Sequence, residues 1–175
     1  MLRHVLDRFE ATLVAVNRWV LIVLLVVMSV IVFANVVLRY TTGDSIVWAE
    51  EVARHLMIWG TVLGAGLVLR FGGHVAIDNF HRAIGTRGGQ AVRVFIVLAI
   101  AAFCGVMIWH SIAYTKIMRF QTTPATGISF AYIYAAIPVG FSLLLVHLAF
   151  VVRTYVTGGR YLDSPEMDAE SAASL

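Results

Sequence analysis

Residues 35–78, NVVLRYTTGDSIVWAEEVARHLMIWGTVLGAGLVLRFGGHVAID, decide how the chain folds. The stretch leaves one very apolar run, turns through Thr41, Thr42, Gly43, Asp44 and Ser45, and enters a second apolar run that opens with Glu50, Glu51 and Arg54. Ionisable groups in a segment that otherwise reads as membrane-spanning are costly unless they are paired or meet a protein partner. On a helix Glu50 and Arg54 stand four apart with the acid first, the favourable order for an ion pair, and Glu51 stands in the same relation to His55. A structural or interface role is therefore expected for them ahead of ion or proton handling.

The turn between the two runs is short, so the second must return antiparallel beside the first. Upstream, residues 19–38 are almost unbroken Val, Ile, Leu and Met, about the ~20 residues a bilayer core requires. Asn35 is the strongly polar residue inside this run, and an amide at that depth is expected to hydrogen-bond to a neighbouring helix. Arg39 and Tyr40 then mark the membrane interface, as a snorkelling cation and a belt aromatic do. Asp44 or Ser45 is expected to cap the second span, residues 46–69, in which Gly60 and Gly64 form a small-xxx-small packing signal and Trp48 and Trp59 read as belt or packing residues.

Composition agrees. With 60% hydrophobic and 13% charged residues and a mean hydropathy of +0.86, the chain is far more apolar than a soluble domain. Its fold class is expected to be all-α: a polytopic membrane protein with four transmembrane helices. The single cysteine, Cys104, excludes a disulfide framework or thiolate cluster. The arginines flank apolar runs rather than forming a basic face, which argues against nucleic-acid binding.

Two amphipathic helices are expected beside the spans. Over residues 1–17, Leu2, Val5, Leu6, Phe9, Leu13 and Val16 recur at helical spacing with Arg3, Asp7, Arg8 and Glu10 elsewhere on the wheel, which suits a helix lying in the interface. After the break at residues 70–73, Ile77, Phe80 and Ile84 share one face of a segment too polar to span. His74 and Asp78 are four apart there, but two ligands define no metal site.

The third and fourth spans are expected over residues 92–116 and 129–152. Between them Pro124 and Gly127 force a turn, and Pro138 is expected to kink the fourth span because it cannot donate to the preceding turn. Residues 1–158 thus form a single membrane domain, and residues 159–175 read as a disordered tail. Placing the N-terminus, the middle loop and the C-terminus on one side collects nine of the 13 Lys and Arg residues there. That bias predicts both termini in the cytoplasm, with the Glu50–Arg54 cluster and the Pro124 loop outside.

NVVLRY followed by WAEEVAR, then GGHVAID at the end of the second span, then QTTPATGIS with a later Tyr and PVG, resemble in order and spacing the small membrane subunit of tripartite ATP-independent periplasmic (TRAP) transporters, the DctQ type. The resemblance covers residues 33–146. It implies a bacterial inner-membrane scaffold, not an enzyme, that serves as a stator for a large membrane subunit and helps dock a periplasmic solute-binding protein. It further implies sodium-driven import of an organic acid, such as a C4-dicarboxylate or a sugar acid. Sodium ions are expected on the large subunit; this chain is expected to bind no substrate, metal or cofactor of its own. Asn35, Arg39, Trp48, Glu50, Glu51, Arg54, His74, Asp78, Gln121, Pro124 and Pro138 are the candidate interface or structural residues, with Gln121 and Pro124 toward the periplasmic partner and membrane lipids around the whole. The alternative is a haem-holding membrane anchor of a quinone-linked oxidoreductase, for which His55, His110 and His147 are the candidates.

Overall fold

The computed structural model describes residues 2–70 and 86–156. The elements are α1 (Leu2–Thr42), α2 (Ala49–Arg70), α3 (Thr86–Met118), α4 (Phe130–Tyr134) and α5 (Ala136–Val156). Four stretches are helical and apolar enough to cross a membrane: all but the first turns of α1, the whole of α2, most of α3, and α4 with α5 taken together. The protein is a multi-pass membrane protein. Among the described residues no strand forms beyond a single bridge between Thr122 and Ser129.

The principal packing partners run α1 to α2, α2 to α5 and α5 to α3, so α2 and α5 are central and α1 and α3 flank them. The α1–α2 seam uses Glu10, Leu13, Asn17, Leu21, Leu24, Met28 and Ile31 of α1, all at least partly covered. Their steps of three and four residues keep one narrow stripe against the partner. The rest of α1 is open, with Trp19, Val23, Phe33 and Tyr40 all exposed. That apolar surface is where lipid or another membrane protein must lie.

The amphipathic helix expected over residues 1–17 does not stand apart. α1 is one helix of 41 residues, about 60 Å long and twice the hydrocarbon thickness of a bilayer. No Gly or Pro occurs before Gly43 to interrupt it, and its early turns are fastened to the bundle. Phe9 meets Phe150 of α5 with ring centroids 6.2 Å apart, Glu10 pairs with Arg70 at the end of α2, and buried Asn17 donates from Nδ2 to the Leu63 carbonyl at 3.1 Å. The second amphipathic helix, His74 and Asp78 fall within residues 71–85, and the tail after residue 156; both lie outside the described residues.

α1 ends at Gly43, whose φ of +78° is the left-handed conformation glycine adopts without penalty at a helix end. The chain then makes one turn, with Ala49 N–H on the Ile46 carbonyl at 3.0 Å. α2 therefore begins three residues later than expected, and neither Asp44 nor Ser45 caps it. Asn35 reaches back instead, its Oδ1 accepting the Ile46 N–H at 2.7 Å. The amide expected to bond a neighbouring helix thus secures the chain entering that helix.

The α2–α5 seam is built on absent side chains. A methyl added to Gly140 would lie 2.8 Å from Val62 Cβ and 2.9 Å from the Val62 carbonyl oxygen, and one on Gly66 would lie 2.6 Å from His147 Cδ2. Gly60 has nothing within 4 Å and Gly64 only touches Leu21 at 3.9 Å. The close approach expected at Gly60 and Gly64 is therefore made by Gly66 and Gly140. At the start of the last span, the helix is interrupted at Ala135, between α4 and α5. Pro138, four residues after Tyr134, has no N–H for the Tyr134 carbonyl, which accounts for the break.

Candidate functional site

The segment joining α3 to α4 is a compact loop held by its own backbone. Phe130 N–H donates to the Gln121 carbonyl at 3.0 Å, Thr123 N–H to the Ile128 carbonyl at 2.9 Å, and Gly127 N–H to the Thr123 carbonyl at 3.0 Å. Gly127 takes a φ of +67°, which lets the chain reverse. Ser129 closes the loop from both sides: its hydroxyl donates to the Arg119 carbonyl at 3.0 Å and accepts the Ala131 N–H at 3.3 Å, capping α4. Pro124 opens the tight turn, where its missing N–H costs nothing.

Two N–H groups of that turn, those of Ala125 and Thr126, have no partner within the loop. Both point at Glu51 in the first turn of α2. Ala125 N–H reaches Oε2 at 2.9 Å and Thr126 N–H reaches Oε1 at 3.1 Å. The Thr126 hydroxyl also donates to Oε1. Because that hydroxyl has one proton, the 2.7 Å contact between the Thr126 and Thr123 oxygens must be donated by Thr123. Thr123 in turn accepts the Ile128 N–H at 3.1 Å. A relay therefore runs from the Ile128 amide through two hydroxyls to the carboxylate, and every donor in it is used. Glu51 is buried although charged, which is tolerable because charge-assisted bonds replace its water.

The local pair expected between Glu50 and Arg54 does not form; among the described residues Arg70–Glu10 is the ion pair. Glu50 and Arg54 are exposed, and with His55 they line a cleft of about 530 Å³ between α2 and the loop. Pro124, Phe130, Ile133 and Tyr134 form its other wall. Of the remaining candidates, Gln121 contributes its backbone to the loop, Trp48 is exposed at the foot of α2, and Arg39 is exposed at the end of α1. Thr123, Thr126 and Asn17 were not singled out by sequence. The signal for the first two was the pattern TTPAT, hydroxyls flanking a proline turn; for Asn17 it was an amide just before a wholly apolar run.

Ionisable side chains cluster at the two ends of the bundle. Residues 19–38, 56–69, 94–109 and 130–146 contain no Asp, Glu, Lys, Arg or His. The family model for the DctQ component of tripartite ATP-independent periplasmic transporters matches residues 28–157. The chain belongs to the DctQ family.

Glu51, the loop and both proline sites lie within the matched stretch. The ectoine TRAP transporter small permease protein TeaB of Halomonas elongata is 26% identical over 138 residues, 77% of this chain and 72% of the relative. The C4-dicarboxylate TRAP transporter small permease protein DctQ of Rhodobacter capsulatus is 32% identical over 112 residues, 60% of this chain and 48% of the relative. The isethionate TRAP transporter permease protein DctMQ of Oleidesulfovibrio alaskensis is 24% identical over 104 residues, 58% of this chain but 16% of that much longer protein. The chain is thus a TRAP transporter small permease subunit and not an enzyme, and such subunits work with a large membrane subunit. The haem-anchor alternative is not supported. His147 is completely buried with its ring against Gly66, His110 is exposed on α3 and His55 belongs to the cleft.

Proposed function

We propose that this DctQ subunit is a stator: it extends the fixed scaffold against which the large subunit moves, and its Glu51-anchored loop helps dock a periplasmic solute-binding protein. The observation that supports an accessory role is the absence of Asp, Glu, Lys, Arg and His from the middle of all four long apolar stretches, since coupled transport needs polar groups at mid-membrane. The charge bias of the loops supports both termini in the cytoplasm of a bacterial inner membrane, which would put the loop in the periplasm. A loop whose amides and hydroxyls are held by one buried carboxylate is pre-organised, and a rigid surface loses less freedom on docking. By likeness to relatives named for ectoine, C4-dicarboxylate and isethionate transport, the solute is a small charged organic compound, and we take its import to be driven by sodium bound on the large subunit.

The test is purification from the host membrane in mild detergent. A stoichiometric larger polytopic protein and sodium-dependent uptake by the reconstituted complex are the expected results. Uptake by this chain alone would overturn the stator reading. Charge reversal at Arg119, or replacement of Gln121 by Glu, should weaken association with the solute-binding protein; unchanged association would remove the loop from the docking surface.

A further inference from the structure

Arg54 lies five residues into α2, about 8 Å along its axis, in a segment apolar enough to span a membrane. It is exposed and makes no ion pair among the described residues. Glu51 does not pair with it; its carboxylate is turned to the loop, whose two amides and hydroxyl it accepts. Glu50, one turn earlier, likewise makes no ion pair among the described residues. A guanidinium in such a segment is costly without a partner, and no described residue supplies an anion to it.

The cleft they share indicates which anion. Its volume, about 530 Å³, is that of a small-molecule site. Glu50, Arg54 and His55 supply charge and hydrogen bonds, while Ile58, one turn beyond Arg54, and Ile137, at the start of α5, supply apolar wall. Inorganic phosphate would leave the isoleucines uncovered, and an alkyl chain would leave Arg54 and Glu50 without partners. A phosphate linked to an ammonium on one side and to an acyl chain on the other satisfies all of them. We propose that this cleft binds a zwitterionic glycerophospholipid bearing a primary ammonium. Its phosphate lies on Arg54 with His55 beside it, its ammonium on Glu50, and the upper part of one acyl chain along Ile58 and Ile137. A wholly anionic headgroup would be repelled by Glu50, so the site discriminates by charge pattern and not by negative charge alone.

The experiment uses the intact complex with its large subunit, incubated in detergent with equal amounts of phosphatidylethanolamine, phosphatidylglycerol and phosphatidylcholine, and read by native mass spectrometry. The wild type is expected to retain phosphatidylethanolamine in preference to the other two. Arg54→Gln should lower that retention about tenfold, as expected for loss of a charge-assisted contact, and Glu50→Gln should move the preference toward phosphatidylglycerol. Ile58→Trp, which fills the apolar half and leaves both charges in place, should also displace the lipid. Equal retention by the wild type and Arg54→Gln would overturn the proposal. So would loss of the large subunit from Arg54→Gln with lipid retention unchanged, which would identify an acidic side chain of that partner as the counter-ion.

Discussion

The middle of α2 and its first turn are attached to the rest of the bundle by opposite means. In the middle, Gly66 and Gly140 leave room for His147 and for the Val62 backbone, and contact depends on volume. At the first turn, one carboxylate collects two backbone amides and a hydroxyl from a loop some 75 residues away, and contact depends on proton inventory. The first should fail when a methyl is added, whatever its charge. The second should tolerate small changes of volume and fail when acceptors are lost.

The largest effect is expected at Gly140. A methyl there meets the Val62 carbonyl oxygen at 2.9 Å and Val62 Cβ at 2.8 Å, so α2 and α5 must separate. Gly140→Ala should lower stability in detergent by about 1–3 kcal/mol, read as a fall in the thermal midpoint, and Gly140→Leu by more. Val62→Ala should not restore it, because Cβ and the carbonyl remain. Full rescue would mean that the seam closes on side chains and not on backbone. Gly66→Ala should cost less, toward the lower end of that range, because the obstacle is a His147 ring carbon at 2.6 Å. Here removal of the ring by His147→Ala should recover part of the loss.

Glu51→Gln tests the other attachment. The amide keeps the size of the carboxylate but offers one oxygen, and its NH2 would face a donor. Amide exchange at Ala125 and Thr126 should rise about tenfold or more, while the thermal midpoint of the helices changes little. If the midpoint falls as far as in Gly140→Ala, the loop and the seam are one cooperative unit and the contrast between them fails. If exchange is unchanged, Glu51 does not hold the loop.

This contrast also separates what sequence could show from what it could not. The apolar runs, the short link at Gly43, the turn at Pro124 and the break before Pro138 are local properties, and the structure has them near their expected places. Glu51 was visible as a costly group, but its partners Ala125 and Thr126 are far away in sequence. Local spacing offered His55 to Glu51 and Arg54 to Glu50, and neither pairing forms. The same limit explains the glycines: Gly60 and Gly64 have the spacing of a packing motif, but which face of α2 meets α5 depends on rotation about its axis. Only the neighbours set that rotation. Residues 1–17 were read as a separate helix because their polar pattern differs from the run that follows. Without a Gly or Pro the backbone has no reason to break, and Glu10 and Asn17 find partners on α2 that justify their polarity.

The smallest effect, and a difference of sign, is expected at Gly60. It sits inside α2 with no atom of the chain within 4 Å of an added methyl. Gly60→Ala therefore creates no clash and removes backbone freedom from the unfolded chain, so the isolated subunit should gain up to ~1 kcal/mol. Measured beside Gly66→Ala, six residues along the same helix, it isolates rotation from composition, because both changes add one methyl to one glycine. A rise in midpoint at position 60 with a fall at position 66 fixes which face of α2 is turned toward α5. A fall at both would mean that α2 is rotated from the orientation described, and the assignment of Gly66 and Gly140 to the seam would fall with it.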